Sequence, residues 1–268
     1  NTTTPGAASP TFSAKTDFTA GTNPSYVSIR DLNGDGKNDL AVANYGSNSV
    51  SVLMNTTAPN ASTPTFSAKT DFATESGPYT VAIGDFNWDG KPDMAATNYT
   101  TNSVSVFYSN TTPGASTPSY STAIIYSVGT APSSVSICDL NCDGKLDMAT
   151  GNETTNNVSV FMNTMTLGVT PASFSAKTDF TSATTPRSMK ICDLNGDGKP
   201  DIIAVNFGGS VSVFLNTTTT GASTPTFSAR TDFSTGTNPV SISVCDFNGD
   251  GKPDMSIANS GSNSISVL

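Results

Sequence analysis

Asp31-Leu32-Asn33-Gly34-Asp35-Gly36-Lys37-Asn38-Asp39 presents side-chain oxygens at positions 1, 3, 5 and 9 of one short stretch. The pattern returns at Asp85–Asp93, Asp139–Asp147, Asp193–Asp201 and Asp246–Asp254, with successive copies starting 54, 54, 54 and 53 residues apart. Every copy has glycine at position 6, where a sharp turn lets the odd-numbered side chains converge. Oxygen donors of this kind suit a hard cation. Ca²⁺ takes about six to eight oxygens from carboxylates, amides and backbone carbonyls.

The expected ligands in the first copy are Asp31, Asn33, Asp35, the backbone carbonyl of Lys37, and Asp39. The second copy offers Asp85, Asn87, Asp89, Lys91 and Asp93, and the third Asp139, Asn141, Asp143, Lys145 and Asp147. The fourth offers Asp193, Asn195, Asp197, Lys199 and Asp201, and the fifth Asp246, Asn248, Asp250, Lys252 and Asp254. About five Ca²⁺ ions are therefore expected, one per repeat. An EF-hand loop opens the same way but closes with Glu at position 12. Here that position holds Val42, Ala96, Thr150, Ala204 and Ile257, and the flanks read as strands rather than helices.

These loops and their flanks resemble the FG-GAP/VCBS-type repeats of integrin α-subunit propellers, a fungal lectin propeller and many bacterial surface proteins. The resemblance covers nearly the whole chain. The literal FG-GAP letters are absent, and GTAP (Gly129–Pro132) and GTNP (21–24 and 236–239) stand near that place. It implies a calcium-stabilised β-propeller used for recognition or adhesion.

The elements that must position the loops are short and regular. Thr11–Phe18, Ser25–Arg30, Leu40–Asn44 and Ser49–Met54 each read as strands, and a linker rich in Thr, Pro and Asn leads to the next TFSAKTDF at Thr65. Four strands per period, repeated radially, predict an all-β fold: one domain over 1–268, a five-bladed propeller. The chain starts with an outer-type strand and stops after an SVSV-type strand. The N-terminal strand at 11–18 is thus expected to complete the last blade, ahead of the alternative of a fragment from a seven-bladed ring.

Composition narrows the chemistry. Fifteen of the 21 acidic residues sit in the loops, so five Ca²⁺ would move the formal charge from −9 to about +1. Basic residues are scattered, which argues against nucleic acid, and no stretch is long and apolar enough to span a membrane. No histidine is present, which excludes Ser-His-Asp and Cys-His catalysis. Asp17, Asp71, Asp179 and Asp232 each follow a Lys or Arg by two residues and read as solvated ion pairs, while Glu75 and Glu153 show no partner. An enzyme is not expected. Cys138, Cys192 and Cys245 share one repeat position and read, with Cys142, as buried free thiols; Cys192–Cys245 and Cys138–Cys142 bridges stay open.

Residues that break the repeat mark where specificity should lie: Trp88 at loop position 4, Arg30, Arg187, and the apolar edge Ile124–Tyr126. The expectation is a monomeric, secreted or cell-surface recognition module. Glycans, or extracellular matrix or surface proteins, are its expected partners, with glycans favoured. A non-binding spacer and an ancillary domain of a polysaccharide-degrading enzyme are the alternatives.

Overall fold

The computed structural model describes residues 2–166 and 171–268. Five antiparallel sheets follow one another along the chain. The first contains β1 (Pro24–Arg30), β2 (Asp39–Asn44), β3 (Ser49–Leu53) and β4 (Thr70–Ala73). The second has β5 (Pro78–Gly84), β6 (Asp93–Asn98), β7 (Ser103–Phe107) and β8 (Ile124–Ser127). The third has β9 (Pro132–Cys138), β10 (Asp147–Asn152), β11 (Asn157–Phe161) and β12 (Thr178–Thr181). The fourth has β13 (Pro186–Cys192), β14 (Asp201–Asn206), β15 (Ser210–Phe214) and β16 (Thr231–Ser234). The fifth holds only β17 (Pro239–Cys245), β18 (Asp254–Asn259) and β19 (Ser264–Val267).

Each sheet is a propeller blade whose strands pair in sequence order from inside to outside. The second strand of each inner blade is buried on both faces, which explains its small and apolar residues, as in Asp93-Met94-Ala95-Ala96. On the third strand Val50 and Val52 enter the core, each worth about 1.5–3 kcal/mol of burial. The intervening Ser51 is equally buried and must be hydrogen-bonded. It accepts from Asn44 Nδ2 at 2.8 Å and donates to Asp71 at 2.5 Å, and Asp71 pairs with Lys69. The same relay runs Asn152–Ser159–Asp179–Lys177 and Asn206–Ser212–Asp232–Arg230. The ion pairs expected from sequence are therefore present, and they anchor the outer strands.

Four apolar clusters fill the four junctions between successive blades. Val50 and Val52 meet Val81 and Met94 at the first junction, and Val211 and Val213 meet Ile242 and Met255 at the last. The two end faces are uncovered: Ile29 on β1 and Ile265 on β19 are both exposed.

The expected closure by Thr11–Phe18 is not what the structure contains. That segment forms no strand, and among the described residues β19 pairs only with β18. The relay is incomplete there. Asp17 pairs with Lys15, and Ser266, the counterpart of Ser51, accepts from Asn259 and Gly236 but does not donate to Asp17. The outer strands elsewhere are also shorter than expected. Only four residues pair, such as Thr70–Ala73, while Phe66 makes an isolated bridge to Asn55.

At the apolar edge of the second blade, Ile124 and Tyr126 turn inward against the core and only Ile125 faces out, opposite Ser105. No continuous apolar patch results. All four thiols are free, but they are not buried as expected: Cys142 and Cys245 are exposed, and Cys138 and Cys192 are partly covered.

Candidate metal centres and the channel mouth

Each oxygen-rich loop joins the first two strands of a blade, so all five lie at one end of the strands. In the first three copies position 2 is an apolar plug: Leu32, Phe86 and Leu140 are essentially inaccessible. Position 9 ties the loop from below. Asp39 Oδ2 accepts the Leu32 N–H at 2.8 Å and its Oδ1 accepts the Asn55 N–H at 2.7 Å. Asp93, Asp147 and Asp201 repeat both bonds. Burial pushes the carboxyls of Asp93 and Asp147 up to about 7, against the pull of these amides.

Position 1 is held differently. Asp31 accepts amide N–H groups from Gly34 at 2.7 Å and Gly36 at 2.8 Å, and the glycine at position 6 takes a positive φ in every copy. Amides of Gly198 above all, with Gly196 and Asp197, hold the Asp193 carboxyl below its usual range. Asp246 is held low in the same way by Gly251, Gly249 and Asp250. These are carboxylates kept ionised.

Position 3 is oriented by the next blade's linker. Asn33 Nδ2 donates to Ala115 O at 2.9 Å, and the Gly114 N–H bonds Asn33 O at 2.7 Å. Asn141 is clamped identically by Ala222 and Gly221. With its nitrogen pinned outward, the amide oxygen points into the loop, where it accepts the N–H of position 5. The linker segment 167–170 lies outside the described residues. Asn195 and Asn248 are exposed.

The donor set fits a hard cation in its chemistry. It is oxygen throughout, and Asp85 Oδ1 is buried with no hydrogen-bond partner. Among the described residues, however, no three acidic, Cys or His side chains are gathered at metal-holding distance. The loop's own amides occupy the carboxylate oxygens, and Lys145 reaches Asp143 at 3.1 Å.

Loop position 4 reaches sideways. Trp88 and Cys142 take positive φ there, where three other copies have glycine. A methyl added at Gly144, position 6 of the next loop, would lie 2.9 Å from the Trp88 ring. Trp88 thus packs on the neighbouring loop and leaves 46% of its surface exposed.

A second cluster, of which the sequence marked only Arg187, occupies the opposite end of the strands. The inner strands register as Pro24↔Asn44 at this end and Arg30↔Asp39 at the loop end, about 20 Å apart for seven residues. Tyr45 and Tyr79 meet edge-on at 6.4 Å between centroids, and Tyr79 and Tyr99 at 5.6 Å. The Tyr99 hydroxyl donates to Glu153 Oε2 at 3.1 Å, and Arg187 Nε lies 3.4 Å from Glu153 Oε1. The Arg187 guanidinium sits 3.8 Å over the Phe207 ring. Glu153, which showed no partner in the sequence, therefore has two. A usable signal was present: the strand-ending Asn is constant, whereas the residue after it varies as Tyr45, Tyr99, Glu153, Phe207 and Ser260.

The comparisons with known proteins bear on the fold. The family model described as an FG-GAP-like repeat matches residues 31–96, 89–150, 139–204 and 193–256. The chain belongs to the FG-GAP-like repeat family. No curated protein matches its sequence. Among solved structures this FG-GAP-like chain is similar to BBS1N, crystallised in complex with ARL6DN, with a TM-score of 0.54 and 10% identity over 90% of this chain. It is also similar to the V. cholerae biofilm matrix protein Bap1, with a TM-score of 0.50 and 16% identity over 92% of this chain. It spans 63% of the first structure's chain and 38% of the second's. Among the described residues no helix is long and apolar enough to cross a membrane.

Proposed function

We propose that this FG-GAP-like chain is a calcium-stabilised, extracellular recognition module whose ligands are carbohydrates. The observation that carries the calcium reading is the outward-pinned amide at loop position 3, seen at Asn33 and Asn141, whose oxygen is thereby turned into the loop. A turn alone would not need that clamp. The orphaned Asp85 Oδ1 supports it. Calcium in each loop would draw positions 1, 3, 5 and 9 together and relieve the repulsion among three carboxylates. The rigid blades would then serve as a platform on which variable side chains recognise a partner.

Carbohydrate is favoured over protein because the surface is rich in Ser, Thr and Asn and carries exposed aromatic rings. No pair of isolated carboxylates suggests hydrolysis, so a binding role is proposed rather than a catalytic one. A glycan array probed with the full chain, with calcium and with chelator, tests the reading. Calcium-dependent binding to a defined group of glycans is expected. Silence across the array by folded, calcium-loaded protein would favour the spacer alternative.

A further inference from the structure

We infer that the cavity between the inner strands, at the end away from the metal loops, is a binding site for a sugar residue. This rests on the recognition reading above and gives it a location. The framework at this end is constant: every inner strand opens with proline and every second strand ends with asparagine. The side chains immediately beyond those residues vary among the blades: Tyr45, Tyr99, Glu153, Phe207 and Ser260 follow the asparagines. A repeat that needed only to fold would have no use for that variety at one ring of positions.

The cavity between the inner strands has a volume of about 410 Å³ and receives residues from all five blades, including Tyr79, Ser134, Glu153, Arg187 and Lys190. That is the size of a small-ligand site, about 300–1,000 Å³. Two of its polar atoms are orphans. Ser134 Oγ and Arg187 Nε are buried without a hydrogen bond, although Arg187 remains near the Glu153 carboxylate. Leaving such groups unpaired is unfavourable, and a ligand that bonds them would remove that penalty. Glu153 is itself nine-tenths buried, so its carboxylate is held rather than flexible.

The chemistry selects the ligand. Tyr79 lines the cavity, is 40% exposed and offers its ring to the C–H side of a sugar. The Glu153 carboxylate can accept and the unpaired Arg187 Nε beside it can donate, the pairing that adjacent hydroxyls require. Serine hydroxyls from the inner strands line the wall below. An apolar ligand would leave these groups unpaired. A bare cation would meet Arg187 and Lys190. A polyol ring stacked on tyrosine satisfies all of them.

The test uses the full 268-residue chain in calcium, with the strongest oligosaccharide found on an array of neutral and acidic glycans as the probe. Tyr79→Ala and Arg187→Gln should each weaken binding about tenfold or more, while Phe12→Ala, an exposed ring that does not line the cavity, leaves it unchanged. Melting curves confirm folding, and if Arg187→Gln fails to fold, the exposed Tyr79 carries the test alone. Glycan binding untouched by Tyr79→Ala, or abolished by Phe12→Ala, overturns this site but keeps the recognition reading. No glycan binding by the wild-type chain overturns both.

Discussion

Phe18 packs edge-on against Phe66 with 5.0 Å between ring centroids, the same relation that Phe180 bears to Phe227 and Phe72 to Tyr120. The N-terminal segment thus occupies the place that a preceding blade's outer strand would take beside the first blade, without pairing to β19. Phe12, six residues earlier, is 73% exposed. Phe18→Ala should therefore cost about 1 kcal/mol, the scale of an aromatic pair, and Phe12→Ala should cost almost nothing. Urea unfolding of both variants checks this. Equal losses would indicate that 11–18 acts as a paired strand after all.

Trp88 is the only tryptophan, and its contact with Gly144 makes the spacing between two loops directly observable. Gly144→Ala should push the indole outward and shift its fluorescence to the red. Gly198→Ala places a methyl in open space at the same loop position with the same left-handed backbone. It should lose about 1–2 kcal/mol from strain yet leave the emission unmoved. An unshifted spectrum in Gly144→Ala would remove Trp88 from the interface between loops.

How far these relations were legible in the sequence follows from their range. The nine-residue loops and the Val/Ser alternation depend on neighbours, so residue type and spacing were enough to read the blades, their order and the oxygen donors. The clamp between Asn33 and Ala115 joins residues 82 apart, and nothing local marks Ala115. The cluster from Tyr45 to Phe207 takes side chains from four blades and becomes visible only once the blades stand side by side. The closure expected from Thr11–Phe18 failed for a related reason. Its pattern matches the other outer strands, but Asp17 lacks the serine partner that holds them.

The Ser51–Asp71–Lys69 relay should leave a trace in acid. Burial opposes ionisation of Asp71, but the hydrogen bonds from Lys69 and Ser51 outweigh it and lower the carboxyl below its ordinary value. A lowered carboxyl stabilises the fold above its unfolded value, near 3.9, and loses that contribution as pH falls through the folded one. Because Asp71 is partly exposed, Asp71→Asn should cost under about 1 kcal/mol at neutral pH. The gap between wild type and variant should close in acid, as melting curves across pH will show. A gap that widens on acidification would contradict the relay.

Thermal unfolding with and without calcium tests the central claim most directly. At hundredfold saturation each occupied loop adds about 2.7 kcal/mol. Several loops together should raise Tm by at least about 10 °C over the chelated protein. Asp35→Ala should remove only a fraction of that rise, since the other four loops are intact. A rise of this size that shrinks with each loop disabled is the predicted result. Superimposable melting curves in calcium and in chelator would contradict it.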